Sequence, residues 1–271
     1  MSWVRILAPL TGADADTATL AAAAALAEPF GAEVEAAFAP ADAADLTPWM
    51  GEGFMGGVQV TAFESLRQAA AEGEKSARRQ FDALSYAKKG FRVLESPVWS
   101  SLDMEARLAD VVVFGADPAR GRGPLVESFQ RILMEEQRPV YLNRGLPDPT
   151  ALAAVAWDGG KEATRAARIA VPWLQKCGEV VIFTAPAATP RSFEADRLVE
   201  FFAARGVKAH VEILKQTGDA GPMLIQAVKS AGAKLLVAGA FGHPRFQQFI
   251  FGGTTRTLMH EENAPSLFLS H

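Results

Sequence analysis

The 271-residue chain is short of several residue types, and each shortage excludes a class of protein. Its one cysteine, Cys177, permits neither an internal disulfide nor a cysteine-rich metal cage, and we expect it to be a buried small hydrophobe. Its 27 Lys and Arg residues do not outnumber its 31 Asp and Glu residues, and a net charge of −4 argues against a nucleic-acid partner. Four scattered histidines lack ligand spacing to other candidate donors, so we predict no metal site.

Long hydrophobic runs are also missing. The apolar run Leu20–Ala27 is about ten residues too short to span a bilayer. The first residues, which begin Met1-Ser-Trp-Val-Arg, lack the basic start and apolar segment of a signal peptide. We therefore expect a cytoplasmic protein without a membrane partner.

Short apolar runs alternate with helical patterns along the whole chain. This alternation predicts mostly parallel sheets with helices on both faces. The predicted strands are Val4–Leu7, Val34–Phe38, Val93–Val98, Val111–Phe114 and Val140–Leu142, then Ala153–Trp157, Val180–Phe183, Val207–Leu214, Leu235–Ala238 and Ser266–Leu269. The helices predicted in the first half cover about 16–28, 62–88, 101–108 and 124–136.

The two halves resemble each other in amino-acid sequence as well as in the order of predicted strands and helices. Ala109–Gly115 matches Ala233–Gly239 at an offset of 124, and Pro139 matches Pro265 at an offset of 126. We therefore predict two tandem domains, 1–146 and 150–271, joined by the proline- and glycine-containing linker Gly145–Pro149. The last strand of each half is free to pair either with the other half or with another chain.

Glycines and threonines cluster after the fourth strand of the second half. Gly239 and Gly242 follow the strand, and nine residues later Gly252 and Gly253 open a helix that continues with Thr254 and Thr255. Free N–H groups at a helix start, together with glycines that permit close backbone approach, suit a phosphate chain. A purely structural turn is the alternative.

Two further residues belong to the same candidate site. Asp158 ends the first strand of the second half, and the first and fourth strands are commonly neighbours in such sheets, so its carboxylate would face the same crevice. Its alternative role is to cap the helix that follows Gly159-Gly160. His243 lies in the glycine loop, either as a phosphate contact or as an exposed loop residue.

This Gly-x2-Gly-x9-Gly spacing, with an aspartate ending the first strand, resembles the universal stress proteins. The resemblance implies two tandem adenine-nucleotide α-hydrolase-like (Rossmann-like) domains, each with a five-stranded, mostly parallel sheet. It implies ATP or a related adenine nucleotide in the second half, with Asp158 near the adenosine and the four glycines along the phosphates. The chain departs from the family pattern at Gly253, where a Ser or Thr is usual.

The first half departs further from the same pattern. Pro118 replaces the second glycine and has no N–H to donate, and Asp117 adds negative charge where phosphate would lie. Thr11 stands where the second half has Asp158. We expect this half to bind no nucleotide and to serve as the partner of the second half in an intramolecular pseudo-dimer, with further dimerisation left open.

Two functions are compatible with the sequence without a catalytic apparatus, whereas an enzyme of the wider adenine-nucleotide α-hydrolase-like fold group would need a catalytic set that the sequence does not show. One is a non-enzymatic stress-response or regulatory protein that holds an adenine nucleotide and at most hydrolyses ATP slowly. The other is a ligand-free scaffold that acts through protein–protein contacts. An insertion in the first half, Ala41–Val60, contains Trp49 and Phe54 and serves either as a lid or partner surface or as cover for the domain's own core.

Overall fold

Each half of the chain contributes five strands to one ten-stranded sheet. The computed structural model describes residues 2–40, 56–95, 97–185, 194–214, 220–241 and 253–271, with the backbone alone for 56–63. The strands of the first half are β1 Arg5–Leu10, β2 Glu33–Phe38, β3 Lys89–Val93, β4 Val111–Phe114 and β5 Val140–Leu142. Those of the second half are β6 Ala153–Trp157, β7 Val180–Thr184, β8 Ala209–Ile213, β9 Leu235–Gly239 and β10 Ser266–Ser270.

Helices connect successive strands and cover the sheet. In the first half they are α1 Asp16–Ala27, α2 Gly56–Ala83, α3 Val98–Arg107, α4 Ala116–Ala119 and α5 Val126–Met134, with a 3₁₀ turn at Glu28–Phe30. In the second half they are α6 Lys161–Leu174, α7 Ala195–Ala203, α8 Ala220–Ser230 and α9 Gly253–His260. None of the helices in the described ranges is both long enough and apolar enough to cross a membrane.

The strand order is β3-β2-β1-β4-β5-β10-β9-β6-β7-β8, and every neighbouring pair is parallel except β5 with β10. Inner strands such as β4 are buried along their whole length, as expected for parallel strands covered on both faces. The predicted fold class, tandem Rossmann-like α/β units with mostly parallel strands, is confirmed. The domain limits 1–146 and 150–271 stay a prediction.

The structure differs from the sequence prediction in three places, of which one is a strand predicted wrongly. The strand expected at Val93–Val98 lies earlier, at β3, because this half-exposed edge strand carries Lys89 and Arg92 and lacks a continuous apolar run. The insertion expected at Ala41–Val60 ends in helix, since α2 already begins at Gly56; residues 41–55, with Trp49 and Phe54, lie outside the described residues. The short helix α4 was not predicted at all.

The two halves join where β5 and β10 pair side by side in antiparallel register. Leu142 pairs with Leu267, and the residues 126 positions away from each of them, Phe268 and Tyr141, pair with each other. The register therefore relates the halves by a pseudo-two-fold axis that passes through the middle of the sheet. Of the two pairings left open by the sequence, the structure contains the one across the halves.

An aromatic cluster on one face of the sheet reinforces this junction. Trp3 of the first half is stacked on Trp173 at 6.1 Å and on Phe268 at 5.9 Å between ring centroids, and it also contacts Phe30 at 5.1 Å. Trp3 is only 4% exposed. Because one buried indole contacts both halves, its packing stabilises their association as well as the first half itself.

We expect Trp3→Ala to lower the free energy of unfolding by about 3–5 kcal/mol, because it removes a buried aromatic side chain and leaves a cavity between the halves. Urea denaturation followed by circular dichroism measures the change. Val4→Ala is the matched control: Val4 is adjacent in sequence but 68% exposed, so its effect should stay within about 0.5 kcal/mol. Equal effects of the two substitutions would contradict the assignment of Trp3 to the junction.

Candidate functional site

The candidate site lies where the strand order of the second half reverses. β6 pairs in parallel with both β7 and β9, so the connections after β6 and β9 lead to opposite sides of the sheet. A crevice forms at the carboxyl ends of strands at such a switch point, and ligands of open α/β sheets bind there. Asp158 follows β6, and Gly239 ends the adjacent strand β9.

Asp158 shapes the turn that leads into α6 and keeps its carboxylate in solvent. Its Oδ1 accepts a hydrogen bond from the backbone N–H of Gly160 at 2.8 Å, and Gly159 adopts a φ of +72°. α6 begins directly afterwards, at Lys161. Asp158 therefore stabilises the turn before α6 and does not cap the helix itself, whose N-cap Gly160 has no side-chain cap hydrogen bond. Asp158 is also exposed.

Gly239 is required by helix packing. A Cβ atom at this position would lie 2.5 Å from the backbone nitrogen of Ala163 and 2.7 Å from the carbonyl carbon of Glu162. The first turn of α6 thus packs directly on the end of β9, and the alanine stripe of α6 continues the contact along the sheet. The same glycine that the sequence assigned to a phosphate loop holds a helix against a strand.

We expect Gly239→Ala to destabilise the protein by about 1–3 kcal/mol, because the added methyl group meets backbone atoms that have no rotamer to change. Gly253→Ala provides the control within the same sequence motif, since a Cβ at Gly253 meets nothing within 4 Å. Thermal melts of both variants check the prediction. A Gly239→Ala protein as stable as the Gly253→Ala protein would show that α6 does not pack on β9 as described.

The start of α9 supplies the remaining described part of the motif. Gly253 is its first residue and is exposed, Thr254 is half-buried, and Thr255 is buried with 7% exposure. Of the two threonines, Thr254 is therefore the more accessible to a ligand. Gly242, His243 and Gly252 lie outside the described residues.

The corresponding edge of the first half is filled by a carboxylate of the protein itself. The Oδ2 of Asp16 accepts hydrogen bonds from the backbone N–H groups of Thr11, at 2.9 Å, and Gly12, at 2.6 Å. Asp16 is only 5% exposed, and burial raises its pKa above the ordinary value although these hydrogen bonds act in the opposite direction. The backbone donors at the end of β1 are thus already paired.

Helix α2 packs against the same edge of the first half. A Cβ at Gly12 would lie 2.5 Å from both the Cα and the carbonyl oxygen of Gly73 in α2, and Gly12 has a φ of +85°. A Cβ at Gly73 would in turn lie 3.1 Å from the ring of Phe38. The backbone of α2 therefore crosses the carboxyl ends of β1 and β2 in direct contact.

We expect Asp16→Ala to destabilise the protein by about 1–3 kcal/mol, because it leaves two N–H groups without an acceptor. Asp16→Asn keeps an acceptor and removes a buried charge. Because the pKa of Asp16 is raised on folding, its contribution to stability is greatest at low pH and is lost as pH rises through the folded pKa. The stability of Asp16→Asn relative to wild type should therefore increase with pH, as urea titrations at several pH values would measure.

Asp14→Ala is the control for these variants, since Asp14 is an exposed acid in the same turn. Its stability relative to wild type should not follow the same pH profile. If Asp16→Asn and wild type differ by a constant amount at every pH, Asp16 is not the buried acceptor described.

The loop after β4 in the first half also differs from a phosphate loop. Pro118 is buried within α4, and Asp117 forms an ion pair with Arg122 at 2.9 Å. The acidic residue and the proline noted in the sequence therefore lie in a short helix instead of a glycine turn. The loop after β4 therefore has a different local structure from the glycine turn, and the expectation that the first half binds no nucleotide stays a prediction.

Two residues near the second-half crevice were missed in the sequence. The ring nitrogen Nδ1 of His271 lies 2.9 Å from the carbonyl oxygen of Ala240, so this nitrogen carries the proton that is donated. Arg165 of α6 donates a hydrogen bond to the carbonyl oxygen of His271. These contacts connect the end of β10 with α6 and with the residue after β9. Their partners are 31 and 106 positions apart, which is why no local pattern predicted them.

Metal-ligating groups do not cluster in the described part of the chain. Within it, no three His, Cys, Asp or Glu side chains are grouped so that they could hold a metal ion. The thiol of Cys177 is half-buried, and burial raises its pKa to about 12, so it stays protonated at neutral pH.

The strand order and the helices on both faces define a tandem, doubly wound α/β protein. Residues 153–269 match the model of the Universal stress protein family, and this half of the chain belongs to that family. No curated protein matches the chain in sequence.

Solved structures extend the likeness in fold to the whole chain. A universal stress protein from Archaeoglobus fulgidus DSM 4304 aligns over 98% of this chain and 95% of its own, with a TM-score of 0.61 at 18% identity. A functionally unknown protein from Pseudomonas aeruginosa PAO1 aligns over 99% and 92%, with a TM-score of 0.55 at 14% identity. A putative universal stress protein from Pseudomonas aeruginosa UCBPP-PA14 aligns over 99% and 93%, with a TM-score of 0.54 at 14% identity. The tandem fold predicted from the sequence is confirmed over the whole chain, and the match to the Universal stress protein family covers residues 153–269.

Proposed function

We propose that the second half binds one adenine nucleotide, ATP or a close relative, at the carboxyl ends of β6 and β9. The observation that carries the proposal is the exposed carboxylate of Asp158 at the switch point of the sheet. A carboxylate there accepts hydrogen bonds from ribose hydroxyls or a base amino group. The exposed N-terminus of α9, from Gly253, supplies N–H groups and a partial positive charge to the phosphates.

The difference between the halves supports a single site per chain. Asp16 already occupies the backbone donors at the end of β1, and α2 packs on the same turn through Gly73. A nucleotide in the first half would have to displace both. In the second half, Asp158 bonds only within its own turn among the contacts described and is exposed.

In this proposal the protein acts by binding, as a non-enzymatic stress-response or regulatory protein. Nucleotide occupancy would alter the surface that the carboxyl ends of β6 and β9 offer to partners. The residues assigned to the site serve to hold the nucleotide, and no role as nucleophile or general base is assigned to any of them. Slow hydrolysis of bound ATP is compatible with this function.

A ligand-free scaffold is the second candidate, and it rests on two glycines. Gly239 is accounted for by the packing of α6, and Gly253 offers no hydroxyl group to a phosphate. On this interpretation the glycine spacing reflects the architecture alone. The two candidates differ in whether adenine nucleotides bind at all.

The test is calorimetric titration of the full chain with ATP and AMP, preceded by analysis of any nucleotide released on denaturation. We expect one nucleotide per chain. Asp158→Asn should weaken binding about tenfold or more, because it removes a charged acceptor but retains an oxygen for the turn. The measurement is the dissociation constant of each variant.

Asp148→Asn is the matched control for this substitution. Asp148 lies before β6, near the opposite end of that strand, and its Oδ1 likewise accepts a hydrogen bond from the backbone N–H two residues on, at 2.8 Å. Its replacement should leave nucleotide binding unchanged. Absence of binding by wild type at millimolar nucleotide would favour the scaffold, and equal effects of the two substitutions would place the site elsewhere.

A further inference from the structure

Helix α2 extends well beyond the part of the first half on which it packs. It has 28 residues, and at about 1.5 Å per residue it is about 42 Å long. Gly73 lies against the turn after β1, and the only buried side chains in the described part of α2, Ala77 and Phe81, come after it. Residues 56–72 therefore form an arm, about 26 Å long, that extends past the carboxyl ends of β1 and β2.

The face of α2 that packs on the first half continues along this arm. It carries apolar or small residues at steps of three and four, namely Leu66, Ala70, Gly73, Ala77 and Phe81. Ala77 and Phe81 belong to the core of the sheet. Farther along the same stripe Leu66 and Ala70 are half-buried, whereas Ala71, which points away from the stripe, is exposed. The arm therefore has an apolar face of the kind that a helix buries against a partner.

The chain that precedes α2 has its two ends at the two ends of the arm. Phe38, the last residue of β2, lies beside Gly73, since a Cβ at Gly73 would be 3.1 Å from the Phe38 ring. Gly56, where α2 begins, is about 26 Å from Gly73 along the helix. Residues 41–55, which lie outside the described residues, therefore connect one end of the arm to the other. A segment of this size reaches about 50 Å when fully extended, about twice the length it has to cover.

The composition of residues 41–55 suits an apolar partner. The segment contains the large apolar residues Leu46, Trp49, Met50, Phe54 and Met55. Contiguous apolar surface of this kind is rarely left exposed on a protein in water. Contact between the segment and the stripe of the arm removes apolar surface of both from water.

We propose that residues 41–55 dock along the apolar stripe of the α2 arm, so that the first half carries its insertion on its own helix. The occupant is this segment because its two ends are attached at the two ends of the stripe, which gives it a high effective concentration there. A second copy of the chain would have to displace it. The contact is separate from the crevice between β6 and β9 and does not depend on nucleotide binding.

Ala70→Asp tests the proposal from the side of the helix, because a carboxylate on the stripe opposes the docking of apolar side chains. Limited digestion of the full chain with chymotrypsin, followed by mass spectrometry, measures cleavage after Leu46 and Phe54. Cleavage should be about tenfold faster in Ala70→Asp than in wild type, because its rate follows the population of the released segment.

Ala71→Asp is the matched control. It places the same residue one position along the helix on the exposed side, so cleavage after Leu46 and Phe54 should stay at the wild-type rate. Equal acceleration by the two substitutions would overturn the proposal, because it would show that the stripe is not the docking surface.

Trp49→Ser tests the same contact from the side of the segment and leaves α2 unchanged, so it remains informative if Ala70→Asp does not fold. It too should accelerate cleavage after Leu46 and Phe54. Wild-type rates in both Ala70→Asp and Trp49→Ser would contradict the proposal.

Sedimentation velocity distinguishes the segment from a second copy as the occupant. With the segment docked, Ala70→Asp should leave the oligomeric state unchanged. If Ala70→Asp instead converts a wild-type dimer into a monomer while cleavage stays at the wild-type rate, the stripe is an interface between copies and the proposal is wrong.

Discussion

The antiparallel pairing of β5 with β10 is the contact on which the rest of this architecture depends. Every other neighbouring pair in the sheet is parallel and joins strands of the same half. Only this pair turns the two halves into one sheet, and its register places them about a pseudo-two-fold axis. The aromatic cluster around Trp3 and the contact of Arg144 with the end of α9 both lie across the same junction. The junction therefore ties the second half to a partner that has the same fold.

The two halves share a fold, but the groups at the carboxyl ends of their strands differ. In the first half, a carboxylate from α1 takes the backbone N–H groups after β1, and the backbone of α2 lies against the same turn. In the second half, the aspartate after β6 bonds within its own turn and stays exposed. In the first half a side chain of the protein itself takes the backbone donors, and in the second half the aspartate at the switch point is exposed. The two halves are therefore related by a pseudo-two-fold axis in their fold but not in the polar groups at their carboxyl edges.

The sequence predicted the parts of the fold that depend on local apolar patterns. β4, β5 and β6 were placed at their observed residues because buried parallel strands appear as continuous apolar runs. β3 was misplaced because it is a half-exposed edge strand with charged residues along it. The pairing of the two last strands was left open, since nothing local distinguishes an intramolecular partner from an intermolecular one.

The candidate site was less predictable because several of its residues have partners far away in the chain. Even where the partners are close in sequence, as for Asp16 with Thr11 and Gly12, the contact depends on the shape of the turn. Gly239 was assigned to a phosphate loop, whereas its surroundings in the structure are backbone atoms of α6.

The most direct measurement of the central claim is a crystal structure of the full chain grown with a non-hydrolysable ATP analogue. The account predicts one analogue per chain, between the carboxyl ends of β6 and β9, with its ribose or base beside Asp158. It also predicts that the carboxylate of Asp16 stays bonded to the backbone after β1. An analogue bound between β1 and β4, or a crevice at β6 and β9 that stays empty at saturating analogue, would contradict the account.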